Sequence, residues 1–199
     1  TASAGALGRY DILFCHPIGT LVLERGGKLT ASGAKLDTSR GFLHALDRWW
    51  RAEQCAPVAS ELPFTGGWFV FLGYEVAMEI EPTLHLPASP DAVVATALRI
   101  PAALIHDRRT GRTEIVMESG HRAVHGAILA DLARLTAHAA RPIIVEECRE
   151  DDPARHLRAI ELAKGHIAAG DIYQDNLSRE WGARLEASAL SADLFAALC

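Results

Sequence analysis

Pro63-Phe-Thr-Gly-Gly-Trp-Phe-Val-Phe-Leu-Gly-Tyr-Glu75 is an apolar, aromatic run bracketed by glycines. It is too short and too aromatic for a helix, so it predicts a buried strand whose glycines imply close backbone approach. Upstream, from Asp37 to about Gln54, the pattern has helical period, with Phe42, Leu43, Leu46, Trp49 and Trp50 on one stripe and Asp37 or Ser39 as N-cap. Earlier still, Tyr10-Asp-Ile-Leu-Phe14 and Thr20-Leu-Val-Leu-Glu24 read as two short strands around a turn. Gly26-Gly27 supply the positive φ of a tight hairpin ahead of Leu29-Thr30.

Downstream, residues 79–90 carry three prolines and predict a loop. Strands are expected over Leu98–His106 and Thr113–Glu118, joined by the turn Asp107-Arg-Arg-Thr-Gly-Arg112. Val124, Ile128, Leu132 and Leu135 predict an amphipathic helix over Ala123–Ala139, and Pro142 stops any continuation. The acidic stretch Glu146-Glu-Cys-Arg-Glu-Asp-Asp152 predicts a connection between two structural units. A third helix spans about 153–169, with Asp152 as N-cap, Pro153 at N1, Leu157, Ile160, Ala163 and Ile167 apolar, and Gly170 just past its end. Leu177, Arg179, Trp181 and Ala183 then share one face of a possible strand, and Ser191 caps a helix still under way at Cys199. A chain ending inside a helical pattern is expected to be part of a longer one.

The 199 residues carry 20 Lys+Arg against 25 Asp+Glu, a formal net charge of −5. With no basic cluster there is no electrostatic footprint for nucleic acid, so no nucleic-acid partner is expected. No apolar run of about 18 residues and no signal peptide is present, so no membrane partner is expected and the reading is cytoplasmic. Cys15, Cys55, Cys148 and Cys199 are scattered without metal-ligand spacing and read as free thiols. Gly66, Gly67 and Gly73 do not make a dinucleotide fingerprint, because no helical pattern opens at the last glycine. His121 and His125 stand at i, i+4 without the glutamate of a zincin, and a solvated helix face accounts for them. Asp171, Tyr173, Gln174, Asp175 and Asn176 are either a ligand-facing polar cluster or a turn satisfying its own backbone.

Pro63–Glu75 taken together with Gly170-Asp-Ile-Tyr-Gln-Asp-Asn-Leu-Ser-Arg179 resembles component I of para-aminobenzoate synthase (aminodeoxychorismate synthase). That family belongs to the chorismate-utilising enzymes together with anthranilate synthase component I. Gly8-Arg-Tyr-Asp-Ile-Leu13 and His16-Pro-Ile18 resemble the family's early strand and the proline after it, so the resemblance covers essentially the whole chain. The Gly170–Arg179 string is its most specific part, and Val70 departs from a glycine common in relatives.

The resemblance implies an α+β fold of antiparallel sheets with flanking helices, the N-terminal part of a two-sheet sandwich. Residues 1–145 would be the N-terminal domain, and 146–199 the connection and the beginning of the chorismate-binding domain. It implies ammonia transfer to chorismate with Mg²⁺, giving 4-amino-4-deoxychorismate for folate synthesis, with ammonia from a glutamine amidotransferase subunit. The family's catalytic lysine in P-I-K-G-T and its magnesium-binding glutamates are absent, so the chain alone is expected to be inactive. A family pocket for tryptophan would match Ser3, Leu7, Gly8, Arg9, Tyr10 and Tyr173. For Arg9 and Tyr10, ordinary strand packing is the competing explanation. Alternatives are anthranilate synthase component I or another chorismate enzyme, and a non-catalytic module that binds tryptophan or docks the amidotransferase.

Overall fold

In the computed structural model, residues 8–55, 59–136 and 141–198 are described. The architecture is α+β with antiparallel sheets, and the chain divides into two compact units, Ser3–Thr136 and a second running from Ala137 to Cys199.

The first unit holds two sheets. β1 (Tyr10–Cys15), β6 (Ala102–Asp107) and β7 (Arg112–Met117) form a three-stranded sheet with β6 central. β3 (Leu29–Ser32), β2 (Gly19–Glu24), β5 (Val93–Ile100) and β4 (Gly67–Leu72) form a four-stranded one in that order. The expected hairpin closes β2 on β3, with Gly27 at φ 78°. β1 does not pair with β2 across the intervening turn. It pairs with β6, Tyr10 opposite Asp107 and Cys15 opposite Ala102. The single strand expected over 98–106 is two strands, because Pro101 brings no N–H to a ladder and the chain crosses there from one sheet to the other.

Helix α1 (Phe42–Ala52) starts later than the sequence suggests. The Asp37 carboxylate accepts from the Ser39 N–H and hydroxyl, a local turn that competes with capping. The first N–H groups of α1 are met from afar: Phe42 N and Leu43 N each donate at 2.8 Å to an oxygen of Glu79. Glu79 lies in α2 (Ala77–Ile80), a single turn following a 3₁₀ turn at Tyr74–Val76. Phe42, Ala45 and Trp49 then bury themselves against Leu21, Ala95 and Ala97 of the four-stranded sheet. Burial of Phe42 and Trp49 contributes on the order of 1.5–3 kcal/mol each. Helix α3 (Arg122–Arg134) ends before the expected Ala139, whose last residues, 137–139, lie outside the described ones. Its Ile128 joins Cys15 and Ala102 in a second cluster, with Leu104, Ile115 and Met117 packed around it.

The run over Pro63–Glu75 does contain a strand, but β4 is not buried. It is the edge of its sheet, and Phe69, Val70, Phe71 and Leu72 are 40–50% exposed. Its entry is held by Arg99 on β5. The guanidinium donates to Glu118 at 2.8 and 2.6 Å, to Glu53 at 2.6 Å and to the Gly67 carbonyl at 3.1 Å, and it stacks on Trp68 at 4.4 Å. Burial opposes the charge, yet the hydrogen bonds Arg99 donates to Glu118 and then to Glu53 outweigh it, and the Arg99 pKa is raised. Gly66 has φ 128°, and a Cβ there would stand 2.0 Å from the Glu118 carboxylate. Gly66 is thus required by the ion pair it adjoins, whereas Gly67 is favoured by its own backbone, at φ 148°.

In the second unit β8 (Val145–Glu150) pairs with β9 (Trp181–Leu185). The acidic stretch expected to be a connection is therefore largely strand. Arg184, across from it, approaches Glu146 at 3.3 Å and Glu147 at 3.1 Å, so cross-strand charge pairing offsets its poor strand composition. The strand expected from Leu177 begins only at Trp181. Helix α4 (Pro153–Ala169) is as the sequence predicts: Asp152 accepts from Ala154 N at 2.9 Å, and Gly170 closes it at φ 81°. Helix α5 (Ser191–Leu198) follows, and buried Asp193 accepts from Arg141 N at 3.1 Å.

Candidate functional site

Among the tryptophan-pocket candidates, Ser3 and Leu7 lie outside the described residues. Gly8, Arg9 and Tyr10 come together where the chain enters β1. The Arg9 guanidinium lies 4.6 Å from the centre of the Tyr10 ring and donates to Asp107 through Nε at 3.1 Å and Nη2 at 2.6 Å. The β1–β6 register puts Asp107 directly across from Tyr10, 97 positions away in sequence. Arg9 holds the Asp107 carboxyl far below the usual carboxylate range, and an N–H from Arg109 adds to that. Asp107 in turn raises Arg9. Both groups are therefore ionised throughout the ordinary pH range.

Arg9, Tyr10 and Asp107, but not Gly8, line a cleft of about 390 Å³ shared with Glu61, Leu62 and Arg109. Charges of both signs stand beside an aromatic ring, an arrangement suited to a small ligand that carries an ammonium and a carboxylate. Asp107, Arg109 and Glu61 were not legible as site residues. Asp107 and Arg109 read only as a hairpin turn, and their meeting with Arg9 depends on a long-range register.

Tyr173 belongs to the second unit and is 93% exposed. It lies in the irregular segment after Gly170, where Asp171, Gln174, Asp175 and Asn176 are also exposed. The left-handed Gly170 turns the chain off α4, and Asp171 Oδ2 meets His166 Nδ1 at 3.0 Å. The far end is anchored by Arg179, which donates to Glu150 Oε2 at 2.7 Å and Asp151 Oδ1 at 3.1 Å and lies 5.6 Å from the Trp181 ring centre. The segment is a polar loop clamped at both ends with Tyr173 at the surface between the clamps.

Among the described residues no group of three or more His, Cys, Asp or Glu side chains could hold a metal ion. The described residues therefore do not fit a magnesium site. No helix of the described residues is long and apolar enough to cross a membrane.

The family described as chorismate binding enzyme matches residues 11–198. Anthranilate synthase component 1 of Geobacillus stearothermophilus is 27% identical over 90% of this chain and 41% of its own length. The 2-amino-4-deoxychorismate synthase of Streptomyces globisporus is 30% identical over 82% of this chain and 35% of its own. The crystal structure of anthranilate synthase component I from Streptococcus pneumoniae TIGR4 superposes with a TM-score of 0.71 at 19% identity, covering 100% of this chain and 46% of that one. The chain thus spans less than half the length of these relatives.

Proposed function

Since the chain belongs to the chorismate binding enzyme family, we propose that it is the front part of a chorismate-aminating enzyme. The reaction replaces the 4-hydroxyl of chorismate by an amino group and releases water, giving 4-amino-4-deoxychorismate for folate synthesis. Ammonia comes from a glutamine amidotransferase partner, and Mg²⁺ binds to residues outside this chain. On this reading residues 1–145 fall to the family's N-terminal domain, and 146–199 to the start of the chorismate-binding domain. The observation that carries it is the uninterrupted Gly170–Arg179 string, held between the left-handed Gly170 and the Arg179 clamp. Tyr173-Gln-Asp-Asn176 favours amination at C4 over anthranilate formation, through the form common in that branch.

The test is product identification. The protein in its full natural length, with its amidotransferase, chorismate, glutamine and Mg²⁺, should yield 4-amino-4-deoxychorismate by mass spectrometry. Anthranilate would assign it to the other branch, and no consumption of chorismate would leave a binding module. The 199-residue chain alone should not consume chorismate.

The cleft beside Arg9 and Tyr10 supports the tryptophan reading, with the zwitterion on the Arg9–Asp107 pair and the indole near Tyr10. Calorimetric titration with tryptophan should give heat that Arg9→Met removes. Silence at millimolar tryptophan would end this reading without touching the first.

A further inference from the structure

A second cavity, about 580 Å³, opens among the β2–β3 hairpin, the loop into α1 and the helical turn after β4. Its floor is apolar: Val76 and Val94 are buried, Leu23 and Leu29 pack against the same core, and Met78 lines the wall. That volume lies within the roughly 300–1,000 Å³ of small-molecule sites. Met78 gives the wall an unbranched, adaptable surface.

Three carboxylates line the cavity against one guanidinium. Glu79 is engaged at the start of α1, Glu24 faces Lys28 at 3.5 Å, and Arg25 donates to the Pro90 carbonyl. Glu75 differs. It is half-buried and has no hydrogen-bond or ion-pair partner among the described residues. Its place depends on Gly73, where an added Cβ would stand 3.0 Å from Glu75 Oε2 and 2.7 Å from the Val94 carbonyl oxygen. A partly desolvated carboxylate without a partner is unfavourable, and a cation in the cavity relieves that cost.

We propose that this cavity binds a small amphipathic amine, its ammonium on Glu75 and its apolar body on Leu23, Leu29, Val76 and Met78. The excess of carboxylates repels anions, and the apolar floor disfavours a bare metal ion or a small hydrophilic cation. The site is separate from the cleft beside Arg9 and shares none of its lining residues.

The probes are phenethylamine and its neutral isostere 2-phenylethanol, titrated calorimetrically into the full-length protein. Phenethylamine should bind one to one and about tenfold more tightly than the alcohol, the gain of a charge-assisted hydrogen bond. Glu75→Gln should erase that preference while leaving chorismate consumption unchanged, and Ala88→Trp, at the cavity wall, should block both probes. Should Glu75→Gln fail to fold, the amine-to-alcohol ratio on the unaltered protein still decides the matter. The proposal is overturned by no heat with phenethylamine up to roughly 10 mM, by equal affinity for the two probes, or by an undiminished preference in Glu75→Gln.

Discussion

The two units build from similar amphipathic elements and reach different ends. In the first, α1 presents Phe42, Ala45 and Trp49 to a sheet, and all three are almost wholly buried. In the second, α4 has better caps at both ends, yet Leu157 and Leu162 are more than 60% exposed, and Ala163 is its one buried residue. α1 has no side-chain cap of its own and is held by packing and by Glu79. α4 is held by Asp152, Pro153 and Gly170 and packs little. Local capping and tertiary burial are therefore separate sources of helical stability, and each unit leans on a different one.

That contrast can be broken most forcefully at Trp49. Trp49→Ala should lower the stability of the first unit by about 3–5 kcal/mol, whereas Leu157→Ala should change the second by no more than about 0.5 kcal/mol. Hydrogen exchange resolved by segment separates the two, and a large loss at Leu157 would mean that its side chain is covered in solution. Gly66→Ala comes next. Its φ of 128° and the 2.0 Å approach to Glu118 predict a loss of about 1–3 kcal/mol, and the same change should cost less when made in a Glu118→Ala background. Full additivity of the two changes would show that the glycine serves conformation alone.

Caps give smaller effects. Glu79→Ala and Asp152→Ala should each cost about 1 kcal/mol. Exchange should rise at the first turn of α1 for the former and of α4 for the latter, and the α1 effect would vanish if packing alone set that helix's start. The smallest effect concerns acid. Asp107 has a depressed folded-state pKa, so its pairing with Arg9 stabilises the fold fully above the ordinary carboxylate value of 3.8. The contribution is shed as pH falls below that. Arg9→Met should flatten this acid limb of the urea midpoint, and an unchanged slope would show that the pair adds nothing to folding.

Legibility followed the range of the interaction. Asp152, Pro153 and Gly170 announce α4 because a cap is made within three residues of its helix end. The turn at Gly27 is equally local. The start of α1 was misplaced because its acceptor, Glu79, is 37 positions from Phe42. Aromatic content predicted burial for β4, but whether a strand is central or at an edge depends on what else joins the sheet. The acidic strand β8 was unreadable because its compensating charge, Arg184, arrives from another strand. At the candidate cleft, Arg9 and Tyr10 were legible through resemblance, while Asp107 became visible only with the register of β1 on β6.

The amino-acid sequence by itself determined the family, the α+β class, the helix with its two caps and the polar string after Gly170. These rest on residue identities and on contacts between near neighbours, which a linear reading contains. Tertiary structure alone decided which strands pair, that Pro101 divides one apolar run between two sheets, that Glu79 begins α1 and that Glu75 meets no partner among the described residues. Each of those depends on which distant residues meet, and a meeting across tens of positions is set by the packing of the whole unit, not by any local preference.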